Sequence, residues 1–170
     1  VKATAELFGV YKDMPLLYSM ALGAGATTPL QMATGFAQIA NGGKKVVPTF
    51  IDRIQDRTGR TIYRHDERPC DSCGQPWADQ ATPVIPDTRE QIADPVSAYQ
   101  MTSILQGVVQ RGTASALNKL GFTLAGKTGT TNDAKDAWFV GFSPDLVVAI
   151  YVGFDDPKTL GAREWGSTAA

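Results

Sequence analysis

Apolar residues recur at helical spacing in three stretches of the first two thirds of this chain, broken by an alternating stretch and an aperiodic one, and at strand spacing in the last third. Thr4–Val10 carries a short apolar face that Gly9 can close, which predicts a short helix, and the small residues of Tyr18–Ala26 predict a loop. Thr28-Pro29 opens the best-punctuated element. Thr28 stands as N-cap, Pro29 at the first helical position, Leu30, Ala33, Phe36, Ala37 and Ala40 as the apolar face, and Asn41-Gly42-Gly43 as the stop. Val46–Tyr63 alternates like a hairpin, with Phe50, Ile51 and Ile54 on one arm, Thr61-Ile62-Tyr63 on the other, and Arg57-Thr58-Gly59-Arg60 as the turn.

Residues 64–95 lose all periodicity. They hold five of the ten prolines, both cysteines and the only histidine, which predicts a surface insertion or long loop. Helical spacing resumes after Pro95 through Val96, Tyr99, Met101, Ile104, Leu105 and Val108, ends at Gly112, and leaves Thr113–Leu120 for one more turn. Three strand patterns follow, at Phe122–Thr131, Ala137–Phe142 and Leu146–Phe154. The connections at Asn132-Asp133 and Ser143-Pro144-Asp145 are short enough to force antiparallel neighbours. Helices first and an antiparallel meander last is an α+β arrangement.

Composition narrows the function. The chain has 170 residues, 43% of them hydrophobic, which is one domain's worth of chain with enough apolar content for a core. Sixteen Lys and Arg against 17 Asp and Glu give a net charge of −1, which argues against nucleic acid or a polybasic membrane-surface role. The longest apolar run, Leu146–Phe154, falls far short of the roughly 20 residues a bilayer span needs. The chain opens at Val1 without a leader and stops at Gly166-Ser-Thr-Ala-Ala without a polar tail, so it reads as a fragment of a larger protein.

Gly121-Phe-Thr-Leu-Ala-Gly126-Lys127-Thr128 fits the phosphate-loop pattern letter for letter, but its context is reversed. A phosphate loop follows a strand and opens a helix at its lysine. Here a turn precedes Gly121, the intervening residues are strand-like, Gly129 follows Thr128, and only a short turn leads to the next strand. On a strand, Lys127-Thr128-Gly129 is instead a K-T-G triplet, which belongs with S-x-x-K and S-D-N in the motif set of penicillin-binding proteins and class A β-lactamases. An edge strand can pair with an extended peptide, Gly129 admits the ligand backbone, and threonine hydroxyls with an ammonium can hold a carboxylate. A surface strand with an exposed lysine would carry the same letters.

The surrounding text decides between these readings. The blocks LGAGATTPLQMATGFAQIANGG, DPVSAYQMTSILQGVVQRGTA, LAGKTGTTNDAKDAWFVGFSPDLVVAIYVGFDD and LGAREWGSTAA resemble, in order and nearly end to end, the transpeptidase domain of the bifunctional class A penicillin-binding proteins, the 1A type in particular. The resemblance implies the penicillin-binding, β-lactamase-like fold, with residues 1–170 as the later portion of the domain. It implies peptidoglycan cross-linking by serine acyl transfer on D-Ala-D-Ala stem peptides, inhibition by β-lactams, no cofactor or metal, and a parent that also carries a glycosyltransferase domain. That parent would sit at the periplasmic face of the inner membrane, with its anchor in a missing N-terminal segment. The alternatives are a serine β-lactamase or D,D-carboxypeptidase, or a peptide-binding domain without catalysis.

Carried over by position, Lys127 and Thr130 are the catalytic candidates. Lys127 would tune the proton-transfer network, and the Thr130 amide would form half of the oxyanion hole. Lys127, Thr128, Gly129 and Thr130 would bind substrate, with the two hydroxyls on its carboxylate. Asp136 and Trp138 read as structural. Arg111-Gly112-Thr113-Ala114 would shape the cleft mouth or serve only as a helix C-cap.

One departure from the family is plain. None of Ser19, Ser72, Ser97, Ser103, Ser115, Ser143 and Ser167 has a lysine three residues on, and no S-x-N occurs, so the expected nucleophile and relay serine are absent from these residues. The chain alone is expected to form no acyl-enzyme; its partner would be the missing N-terminal part of the same domain. Cys70 and Cys73 admit three readings. In the oxidising compartment that the resemblance implies they form a local disulfide; free thiols and adventitious zinc, with His65 and Asp66 or Asp71, are the others.

Overall fold

The computed structural model describes residues 1–70, 73–76 and 78–170, so Asp71 and Ser72, named above, lie outside the described residues. The chain divides into two compact units, Val1–Val46 with Gln91–Ala170, and Val47–Glu90.

The larger unit begins with helix α1 (Lys2–Leu7), which Gly9 closes with a positive φ of 71°. A 3₁₀ helix, Tyr18–Leu22, occupies part of the stretch expected to be loop, because Gly23 in the left-handed region can cap it and return its N–H to Met20 O. Helix α2 (Pro29–Ala40) starts as its sequence dictates. The Thr28 hydroxyl accepts from Gln31 N at 3.2 Å and the Gln31 side chain accepts from Thr28 N at 3.1 Å, a reciprocal capping box ahead of Pro29. Helix α3 (Pro95–Arg111) is capped by Asp94, whose carboxylate accepts from Ser97 N at 2.8 Å. That bond to the Ser97 amide, with a second from the Ser97 hydroxyl, holds the Asp94 carboxyl below the usual aspartate range.

A 3₁₀ helix, Ser115–Leu120, leads into a three-stranded antiparallel sheet, counted here after the two strands of the smaller unit: β3 (Ala125–Thr130), β4 (Asp136–Phe142) and β5 (Val147–Gly153), in the order β3-β4-β5. The expected α+β class with its terminal meander is the architecture found. Strand β3 is shorter than its pattern, since Phe122 stands 71% exposed ahead of the ladder.

Leu105 of α3, Ala125 of β3 and Phe142 of β4 form the core, with Phe36 and Ile39 of α2 and Val147 packed against them. The Phe36 and Phe142 rings meet edge to face, with centroids 6.5 Å apart. Both helical faces differ in part from expectation. On α2 the buried residues are Gly35 and Gln38, while Leu30 and Ala40 are exposed. A second contact causes this: a Cβ on Gly35 would come within 3.0 Å of Val10, so α2 packs on the N-terminal segment as well as on the sheet. On α3 the buried stripe is Ala98, Leu105 and Val109, spaced to face β3, whereas Val96, Tyr99 and Ile104 lie on the side away from that contact and are exposed.

The smaller unit contains a two-stranded hairpin, β1 (Arg53–Gln55) and β2 (Thr61–Arg64), with Arg53 opposite Arg64. Its turn is held by the Asp56 carboxylate, which accepts from Thr58 N and Arg60 N at 2.8 and 3.0 Å. Phe50 and Ile51 lie outside the ladder, contrary to expectation, because the Thr49 hydroxyl bonds locally to the Ile51 backbone and competes with strand pairing.

Candidate functional site

Lys127, Thr128, Gly129 and Thr130 are consecutive on β3, opposite Val140, Phe139, Trp138 and Ala137 of β4. Among the described residues β3 pairs with β4 alone, so it is a sheet edge. The nucleotide-loop letters have no loop behind them: Gly121 caps the preceding 3₁₀ helix with φ 73°, and Lys127 sits inside a strand rather than at a helix start.

The strand is seated from beneath by small residues. Ala125 and Ala137 are buried, and a Cβ on Gly126 would lie 2.8 Å from the Phe139 ring and 2.9 Å from Val140 O. The three aromatic residues of β4 are thereby free to support β3 closely. The Trp138 ring lies against Tyr151 at 4.8 Å between centroids, and the Tyr151 hydroxyl donates to Asp136 Oδ1 at 2.9 Å. Asp136 and Trp138 therefore tie β4 to β5.

Lys127 and Thr130 are exposed, and Thr128 and Gly129 are half-buried. The Lys127 ammonium donates to Thr128 O at 2.7 Å, which folds it along the strand. The Thr128 hydroxyl lies 2.7 Å from that of Thr113, in the segment after α3. The Thr130 hydroxyl accepts from Gly166 N at 3.0 Å. Behind Thr130 the chain turns tightly: Thr131 N donates to Asp136 O and Asp136 N to Thr131 Oγ1, with Asp133 and Ala134 at positive φ. One lysine and two hydroxyls spaced i, i+2 on an edge form an arrangement suited to an anionic, extended ligand.

Two residues of this arrangement carry no motif of their own: Thr113 sits in a segment whose letters fit a cleft mouth or a plain helix cap alike, and Gly166 lies in the block LGAREWGSTAA, which carries the resemblance but implies no role for the glycine. The remaining candidates lie in the smaller unit. Cys70 and Cys73 are joined in a disulfide with their Cα atoms 5.4 Å apart, so neither sulfur is a thiolate for zinc, and His65 is exposed.

Residues 15–170 match the penicillin binding protein transpeptidase domain family. The chain belongs to the penicillin-binding protein transpeptidase family. It is 48% identical over 163 residues to penicillin-binding protein 1A of Rickettsia prowazekii, covering 94% of this chain but 21% of that relative's length. Among solved structures it resembles penicillin-binding protein 1A of Haemophilus influenzae, with a TM-score of 0.76 and 28% identity over 95% of this chain and 27% of that one. It also shares its fold with PonA1 of Mycobacterium tuberculosis, solved in complex with penicillin V, at a TM-score of 0.70 and 24% identity over 97% of this chain and 45% of that one. The chain thus spans about a fifth of the length of the curated relative named here. No helix among the described residues is long and apolar enough to cross a membrane.

Proposed function

We propose that this chain forms the K-T-G wall of the acyl-donor cleft in a peptidoglycan D,D-transpeptidase. The observation that carries the reading is the run Lys127-Thr128-Gly129-Thr130 on a sheet edge, with both threonine hydroxyls held from outside the strand. An extended stem peptide pairs along β3, Gly129 leaves room for its backbone, and Thr128, Thr130 and the Lys127 ammonium take its terminal carboxylate. A β-lactam presents the same carboxylate to the same groups. The Thr130 N–H contributes to holding the oxyanion of the tetrahedral intermediate.

The nucleophile comes from elsewhere in the parent, since no serine of the 170 residues is followed by lysine at the third position. That serine attacks the penultimate D-alanine carbonyl, D-alanine leaves, and an amine on a neighbouring stem resolves the ester. The parent works at the periplasmic face of the inner membrane, anchored by another segment, and carries a glycosyltransferase domain as well. The rest of the transpeptidase domain is this chain's partner.

Fluorescent penicillin tests the reading. The full-length parent is expected to label covalently, the Lys127→Ala parent to label far more slowly, and the 170-residue chain alone to stay dark. An unlabelled parent overturns the reading. Steady turnover of penicillin by the parent replaces it with a hydrolase, and labelling of the isolated chain overturns the placement of the nucleophile outside it.

A further inference from the structure

The hydroxyls of Thr113 and Thr128 meet at 2.7 Å from two rigid supports. On one side, Val108 O at the end of α3 accepts from both Gly112 N and Ala114 N at 3.1 Å, clamping the backbone around Thr113. Gly112 has no room for a side chain there, since a Cβ would lie 2.8 Å from Val108 Cα, and Ala114 is buried. On the other side, Thr128 is fixed in the ladder opposite Phe139. The backbones that carry the two hydroxyls are thus each fixed, one by a helix end and the other by a strand, and hold the pair within hydrogen-bond distance.

Each hydroxyl owns one proton, so one member of the pair donates and the other accepts. A carboxylate only accepts. When one arrives at Thr128, the Thr128 proton must point outward, and Thr113 must be the donor. We infer that Thr113 is a positioning residue: by donating to Thr128 Oγ1 it turns the Thr128 O–H outward, onto the carboxylate of the acyl donor. Thr130 reaches the same polarity by a different device. Its oxygen accepts from Gly166 N, a group that can only donate, which leaves the Thr130 proton for the ligand. Thr128 and Thr130 stand two residues apart on one strand, so both protons are presented on the same side.

This inference rests on the transpeptidase reading, and the two are tested separately. In the full-length protein, Thr113→Val and Thr113→Ser are compared with wild type for acylation by a fluorescent penicillin and by its methyl ester. In parallel, release of D-alanine from a peptide ending in D-Ala-D-Ala is compared with release of D-alaninamide from its C-terminal amide. The ratio of carboxylate to blocked-carboxylate rates is read within each preparation, so the fraction of folded protein cancels.

Thr113→Val is expected to lower that ratio on the order of tenfold for both ligands, the loss of one aligned hydrogen bond to a charged group. Thr113→Ser is expected to keep the wild-type ratio. An unchanged ratio in Thr113→Val, or an equal loss in Thr113→Ser, overturns the positioning role. A loss confined to penicillin overturns it for stem peptides. Absence of any acylation in wild type overturns the transpeptidase reading itself.

Discussion

The backbone N–H of Gly166 donates to Thr130 Oγ1 at 3.0 Å, joining the segment 161–170 to the last residue of the K-T-G strand across 36 positions of sequence. Only glycine fits at this contact, because a Cβ there would run into the carbonyl oxygens of Gly129 and Trp138. Leu160 N, which donates to Ala134 O at 2.8 Å, fixes the start of the same segment on the turn after β3. Gly166→Ala is therefore expected to lift the segment off β3, at about 1–3 kcal/mol of stability, and to slow penicillin labelling of the parent. Ser167→Ala, at the exposed neighbour, should change neither. Thermal melting with gel labelling of the two variants distinguishes them.

Gln38 is the second prediction. It is 2% exposed on the buried side of α2, its amide donates to Phe8 O at 2.8 Å, and its carbonyl accepts from Val46 N at 3.3 Å. One side chain thus satisfies two backbone groups from segments that flank α2. Gln38→Leu keeps the volume but strands both groups, at roughly 1–3 kcal/mol for each that water does not reach. Gln38→Glu should also destabilise, because a carboxylate has no donor for Phe8 O. A lowered melting temperature in both variants is the expected result; wild-type stability in Gln38→Leu would mean the two backbone groups find water.

The sequence was most legible where the signals are local. Thr28, Pro29 and Asn41-Gly42-Gly43 marked α2 within a residue, because caps act through bonds made inside one turn. The meander was legible for a similar reason: its two connections are too short for any other topology. Burial was less legible. Gln38 reads as a polar interruption of an apolar face, and only the Phe8 and Val46 backbone, eight or more residues away, explains its position inside. The site divided along the same line. Lys127-Thr128-Gly129-Thr130 is a contiguous motif on one strand, whereas the Thr113 and Gly166 contacts span 15 and 36 positions and leave no periodic trace.

The capping box allows a direct check of that local legibility. Thr28→Ala removes the hydroxyl that accepts from Gln31 N at 3.2 Å and donates to Gln31 Oε1 at 3.0 Å, leaving only the backbone N–H at position 28 to hold the Gln31 side chain. The expected cost is about 1 kcal/mol. Thr28→Ser should cost only a fraction of that, since it retains the oxygen. Hydrogen exchange at the first turn of α2 should quicken in Thr28→Ala while exchange in β4 stays near wild type.

Alkaline titration probes the support under the strand. Tyr151 donates to Asp136 Oδ1 at 2.9 Å, and that bond is the main cause that raises the Tyr151 pKa above its ordinary value of 10.0, with partial desolvation and the charges of Asp136 and Asp155 adding to it. A phenol whose folded pKa is raised binds its proton more tightly in the native state. Its contribution to stability is therefore fully present below the unfolded pKa and is lost as pH rises through the folded one. Tyrosinate absorbance should include a step above pH 10.0, and Tyr151→Phe should remove that step. Asp136→Asn, which keeps an acceptor but not the charge, should bring the step back toward pH 10.0. Because the Tyr151 ring lies against Trp138, opposite Gly129, the same pH rise should loosen the K-T-G strand, seen as a shift in tryptophan emission that Tyr151→Phe abolishes. Unchanged emission through the Tyr151 step would show that ring packing alone, without the hydrogen bond, holds Trp138 in place.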